Sequence, residues 1–246
     1  MEAAFQQKFA GVVAAVAQKA QPQPSPEPFP PAPQGWLLPT ALSHFEGATP
    51  ASIAAQVAAP PFATTTSKKK AWRDPVTGTI HLNKDPTTWS GSIFAYHHEV
   101  SHHVHHALDI VTKTEVAPAF AAAIAADAAA LHNQAFGAHS FTDLAQASKW
   151  KQIAAAHSQA IGLETAINAQ DTLAKQRVIS LFDTIGGMTK GAFGFGHTKS
   201  YYATGTYGTR EVFANCATAA ILGWPEFKLY FPQTMAYIET RLGLST

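Results

Sequence analysis

The chain has 246 residues, is 46% hydrophobic and only 13% charged. That length and apolar content support one sizeable core with appendages. With 17 Lys plus Arg against 16 Asp plus Glu, the net charge is +1, which predicts no electrostatic pull toward nucleic acid or anionic membrane surfaces. The single cysteine, Cys216, has no internal disulfide partner and reads as a small buried hydrophobe. No apolar run reaches the roughly 18 residues of a transmembrane helix.

Residues 1–20 open with an acid and carry Lys8 inside a weak apolar run. They read as an amphipathic helix rather than a signal peptide. Residues 21–35 are proline-rich, which forbids helix or sheet interior and predicts a semi-rigid spacer. Together these two segments are expected to dock the main domain, residues 36–246, to a larger assembly. Thr49-Pro50 starts a helical stretch to about Ala59, with proline at the first helical position. Lys69 to Arg73 and Thr79 to Asn83 read as strands around the turn residues Asp74 to Gly78. Lys68, Lys69 and Lys70 are expected on a solvated strand edge. Ser90 or Ser92 then caps a helix to about Leu108.

The remainder is mostly helical. Alanine-rich sequence from Pro118 to Ala130 favours a helix over Val116 to Phe136, because alanine loses no side-chain entropy there. Further helices are expected over Thr142 to His157, Ser158 to Thr184, Thr209 to Leu222 and Pro232 to Leu242. A glycine-rich stretch, Gly186 to Gly208, is too long for an ordinary connector. The fold class is therefore α+β, mostly helical, with a small sheet.

The chemistry concentrates in His98-Glu99-Val100-Ser101-His102. On a helix, positions i and i+4 share one face, so both imidazoles can meet one tetrahedral zinc ion. Glu99, beside them, can take a proton from an attacking water and pass it to a leaving amine. The flanking His97, His103, His105 and His106 offer a second i, i+4 pair, His102 and His106. This admits a rival, a histidine-rich patch that sequesters metal. His97 and His103 point away from the His98/His102 face.

The site needs a third protein ligand. A metzincin pattern would require glycine at 105 and histidine at 108, where this chain has His105 and Leu108. A gluzincin pattern takes a glutamate from a later helix. Glu211 fits, at the first turn of the otherwise apolar Thr209 to Ala217. Asn215, one turn on, is placed to hydrogen-bond a ligating histidine.

The order HEVSH, FGFGHTKSYY, REVFANCATA and FPQTMAYIE resembles the gluzincin-type metallopeptidase domains of phage minor head proteins and related bacterial toxins. It is more distantly similar to the anthrax lethal factor protease domain. The resemblance covers about Thr79 to Gly243. It implies a zincin-like fold, Zn2+ as cofactor and a peptide or protein substrate. It also implies a cytoplasmic or virion-associated setting, and a strand along the cleft that binds extended substrate. It singles out Gly196-His197 and Tyr201-Tyr202. His197 and Tyr202 are the expected oxyanion donors, with Tyr201 and Tyr207 as alternatives and Asp183 as a supporting acceptor. Ser101 replaces the usual glycine, and His105 stands where aspartate is common. The spacing between His102 and Glu211 implies a helical insertion over about Val116 to Thr184. The full expectation is a zinc endopeptidase. Its rival is a non-catalytic zinc-binding structural protein, or a toxin domain, that keeps the fold.

Overall fold

The computed structural model describes residues 36–68, 70–136, 172–192 and 196–244. The expected N-terminal helix, the proline spacer and the helix over Thr142 to His157 lie outside these residues. The described part is α+β, mostly helical, with one three-stranded sheet.

After a 3-10 turn at Thr40–Phe45, helix α1 covers only Ala51–Ala54. The expected stretch to Ala59 is shorter than predicted, turning at residues 55–57 before Pro60-Pro61. Those prolines lead into β1, Phe62–Thr65, which the sequence did not announce. Strands β2, Trp72–Arg73, and β3, Ile80–Asn83, follow around the predicted turn. The strand order is β1-β3-β2, with β1 parallel and β2 antiparallel to β3. The strand expected along the cleft, Thr79 to Asn83, is therefore the middle strand. β2 takes the edge instead. Lys68 and Lys70 are exposed but precede β2 rather than forming part of it.

Helix α2, Ile93–Ala107, begins as predicted: the Ser92 side chain accepts from the Ala95 N–H at 3.2 Å. Helix α3 is Pro118–Phe136 and helix α4 is Thr172–Met188. Helix α5 is Lys199–Ala203, α6 Tyr207–Leu222, α7 Pro225–Tyr230 and α8 Pro232–Leu242. The glycine-rich stretch is thus not one loop. Its first glycines, Gly186 and Gly187, finish α4, and Gly208 lies in the first turn of α6. α7 was not foreseen from its short sequence.

Helix α6 is the axis of the fold. It packs against α2, α4 and α8. Val212, Phe213, Ala214, Cys216, Ala217 and Ala219 are all buried. A helix buried on every side has no need of an amphipathic stripe. Its crossing with α4 depends on missing side chains. A Cβ on Gly187 would lie 2.4 Å from the Gly208 carbonyl oxygen. Only glycine permits that approach.

The segment expected as an insertion is core at both described ends. Phe120 of α3 and Leu181 of α4 are buried. From α3, Asp127 accepts from the Thr234 N–H at 2.7 Å and the Gln233 N–H at 3.1 Å, closing the start of α8. From α4, Arg177 holds Glu226 of α7 through two hydrogen bonds of 2.7 and 2.6 Å. These contacts tie α3 to α8 and α4 to α7, and the site lies between α2, α4 and α6.

Candidate metal centre

α2 presents His98 and His102 on one face, and the first turn of α6 brings Glu211 to it. His98 Nε2 lies 3.2 Å from His102 Nε2 and 3.3 Å from Glu211 Oε2. His102 Nε2 lies 3.6 Å from the same oxygen. Ligand atoms around a tetrahedral zinc are about 3.3 Å apart at ordinary bond lengths. Glu211 is 2% exposed, and its Oε2 is buried with no hydrogen-bond partner. A buried carboxylate oxygen without a donor is costly, and a cation between the three groups would satisfy it. His98, His102 and Glu211 can therefore hold a metal ion.

The charges point the same way. Burial acts to lower His98, but the Glu211 carboxylate 3.3 Å away, with Glu99 and Asp183 behind it, raises it to about 9. Burial acts to raise Glu211, but His102 and His98 hold it well below the usual carboxylate range. Burial pushes the Glu99 carboxyl up, opposed by His102 and His98.

His102 is oriented from behind by a residue in its own helix. His105 Nδ1–H donates to the Val111 carbonyl at 2.8 Å, which leaves His105 Nε2 as an acceptor 3.3 Å from His102 Nδ1. Burial keeps His105 well below its ordinary pKa, hence neutral and able to accept. His102 Nδ1–H then points at His105, and its Nε2 lone pair faces Glu211. The expected orienting residue, Asn215, does not do this. Its Nδ2 donates to Asp183 Oδ2 at 2.6 Å, because one turn past Glu211 the helix faces α4.

Asp183 of α4 is the second hub. It is 5% exposed, not a solvated helical acid. Its Oδ1 accepts from His197 Nδ1 at 2.9 Å and from the Tyr202 hydroxyl. Gly196 makes this possible: its φ is +141°, and a Cβ there would lie 2.2 Å from Asp183 Oδ1. The loop can thus pass directly over the carboxylate. Burial acts to lower His197, but the hydrogen bond to Asp183 and the charge of Glu211 raise it.

Of the two adjacent tyrosines, the expected Tyr202 is the buried one. Its hydroxyl also accepts from the His197 N–H at 2.9 Å, so it braces the Asp183–His197 pair from beneath. Tyr201 reaches the metal ligands instead. Its hydroxyl donates to Glu211 Oε1 at 2.6 Å, and its ring stacks on His197 at 4.3 Å. Tyr207 is 38% exposed and lies under Arg210. Asp183, His197 and Glu211 also fall within 4.8 Å of one another. Asp183 already accepts three hydrogen bonds there, the mark of a carboxylate that holds an imidazole rather than one awaiting a cation.

A cleft of about 450 Å³ opens over these groups. Trp72 and Trp89 line it; Trp72 is 39% exposed and stacks on His81, while Trp89 also packs against the core beside Phe94. Trp224 does pack, stacked on Phe94. The histidine run is not a solvated face. His97 is 2% exposed and lowered to about 3 by burial. His103 Nε2–H donates to the Ala58 carbonyl at 3.0 Å. Among the described residues, His106 belongs to no group of three metal-capable side chains. No protein-family model, curated protein or solved structure matches the chain.

Proposed function

We propose that the protein is a zinc-dependent endopeptidase with a zincin-like domain of the gluzincin type. The observation that carries this reading is the triangle of His98, His102 and Glu211, with edges of 3.2, 3.3 and 3.6 Å around a buried, unpartnered carboxylate oxygen. Two imidazoles and one carboxylate form the donor set of a catalytic zinc site, which leaves a fourth position open. A divalent cation held there would act as a Lewis acid toward the scissile carbonyl and make water a better nucleophile.

The chain's own groups supply the rest. Glu99 is buried and lines the cleft beside His98 and His102. Its raised pKa suits a group that takes a proton from the attacking water and returns it to the leaving amine. His197, kept basic by Asp183 through Nδ1, is the donor for the developing oxyanion through Nε2. The Tyr201 hydroxyl, which donates to Glu211 Oε1, would have to turn from that carboxylate to join it. The edge strand β2 borders the cleft through Ala71, Trp72 and Arg73, and supports binding of an extended peptide by strand addition. Ser101, in place of glycine, does not weaken this reading. Its hydroxyl donates to the His97 carbonyl at 2.7 Å within α2, away from the metal ligands.

The test uses metal content and proteolysis together. The wild-type chain should bind one zinc tightly. Glu211→Ala should lose it, while Glu99→Gln should keep it and lose about 10²- to 10⁴-fold in peptide hydrolysis. Zinc affinity unchanged by Glu211→Ala sinks the ligand assignment. Tight zinc binding without cleavage of any peptide favours a structural zinc protein.

A further inference from the structure

Three cationic side chains line the cleft: Arg73 from β2, Lys113 from the turn after α2, and Arg210 from the first turn of α6. None of the three makes an ion pair among the described residues. Glu99 and Asp74 act on the Arg73 guanidinium only through their charge, without an ion pair, and the hydrogen bonds of the nearby carboxylates go elsewhere. Glu211 faces His98 and His102, and Asp183 accepts from His197, Tyr202 and Asn215. Asp74, next to Arg73, accepts from the N–H groups of Val76 and Thr77 in its own turn.

Both guanidiniums are nevertheless held. Arg210 Nη2 donates to the Thr112 carbonyl at 3.0 Å, and its head lies 5.1 Å from the centre of the Tyr207 ring. Arg73 crosses Gly78, its Nη2 3.4 Å from where a Cβ would stand. The Nε of each is buried with no hydrogen-bond partner. Burial lowers Arg73, and the charge of Arg210 adds to that. Fixing two long side chains costs conformational entropy, and bringing like charges together costs more. The charges of Asp74 and Glu99 favour the Arg73 cation, and the Thr112 carbonyl and Tyr207 ring hold Arg210. No carboxylate pairs with either guanidinium among the described residues; an anion arriving from outside would.

We propose that Arg73 and Arg210, with Lys113 at the rim, form a subsite for a carboxylate of the substrate. The subsite rests on the peptidase reading and narrows it. The substrate places an Asp or Glu side chain, or its C-terminal carboxylate, beside the bond that is cut. A guanidinium fork suits a planar carboxylate and discriminates against the neutral amide of similar shape.

The experiment reads binding rather than turnover. The zinc-loaded Glu99→Gln protein is titrated with a short neutral peptide, with the same peptide carrying one Glu, and with its Gln counterpart. Each is made with a free and with an amidated C-terminus. Binding is followed by calorimetry and by the fluorescence of Trp72 and Trp89. A charged peptide should bind about tenfold or more tightly than its neutral partner, and added salt should erode the difference. Arg73→Gln and Arg210→Gln should each remove most of the advantage of the charged peptide over its neutral partner. An advantage confined to the Glu side chain identifies an acidic residue as the ligand. An advantage confined to the free C-terminus identifies the terminal carboxylate. Equal binding of charged and neutral peptides in both arms overturns the subsite and leaves the peptidase reading standing. Failure of every peptide to bind a chain that holds zinc overturns both. The peptide exchanges use unaltered arginines, so the outcome does not depend on the arginine variants folding.

Discussion

At the scale of single residues, the site depends on which nitrogen or oxygen each partner leaves free. His105 is the clearest case: by accepting from His102 Nδ1–H it presents His102 Nε2 to the metal position. His105→Ala should weaken zinc affinity about 10- to 100-fold, read by competition with a chelating dye. His103→Ala, whose partner is the distant Ala58 carbonyl, should leave affinity unchanged. The two tyrosines should separate in the same way. Tyr201→Phe should lower kcat with little change in stability. Tyr202→Phe removes one of the donors on buried Asp183 and should cost about 1–3 kcal/mol in chemical denaturation. The three metal ligands were legible in the sequence because the i, i+4 spacing is local and Glu211 stands at the start of an apolar helix. His105 was not assigned its role, and Asp183 was offered as a supporting acceptor without its partners, because those partners are set by tertiary contacts. His105 needs a carbonyl in the turn after its helix, and Asp183 needs a loop that crosses it at Gly196. The pattern that hinted at His105 was its i, i+3 spacing from His102.

At the scale of elements, the crossing of α4 and α6 sets the distance between Asp183 and Glu211. Gly187→Ala would push a methyl group toward the Gly208 carbonyl oxygen, 2.4 Å away. It should destabilise the fold by about 1–3 kcal/mol and weaken zinc binding as well, although residue 187 touches no ligand. Asp127→Ala should cost about 1–2 kcal/mol by releasing two N–H groups at the start of α8, and should spare zinc affinity. The helices were the most readable elements. α2 carries a serine cap, and the bounds of α8 follow directly from Phe231-Pro232 and Gly243. The sheet was harder. β1 pairs in parallel with β3, a non-local contact that no hairpin turn announces. Missing β1 is what made β3 look like an edge.

At the scale of the whole molecule, a net charge of +1 conceals a local imbalance. Among the described residues, cations without an ion pair gather at the cleft while Glu211 and Asp183 are engaged within the protein. Composition alone cannot reveal that separation. The fold class was legible because alanine and the scarcity of charge bias the entire chain toward buried helix. The depth of burial makes a further prediction. Cys216 is 0% exposed and burial raises its thiol pKa well above the ordinary range. The native protein should therefore resist a thiol reagent over hours, and react fully only when denatured.

The metal position joins helices whose contributing residues, His102 and Glu211, are more than a hundred residues apart in the sequence. During synthesis, the part of the chain carrying both imidazoles and Glu99 leaves the ribosome well before the carboxylate that completes the set. Until α6 emerges and packs, the nascent chain has a general base but lacks a complete seat for the ion. If the chain is the peptidase proposed above, the order of translation would delay its activity until the core has closed.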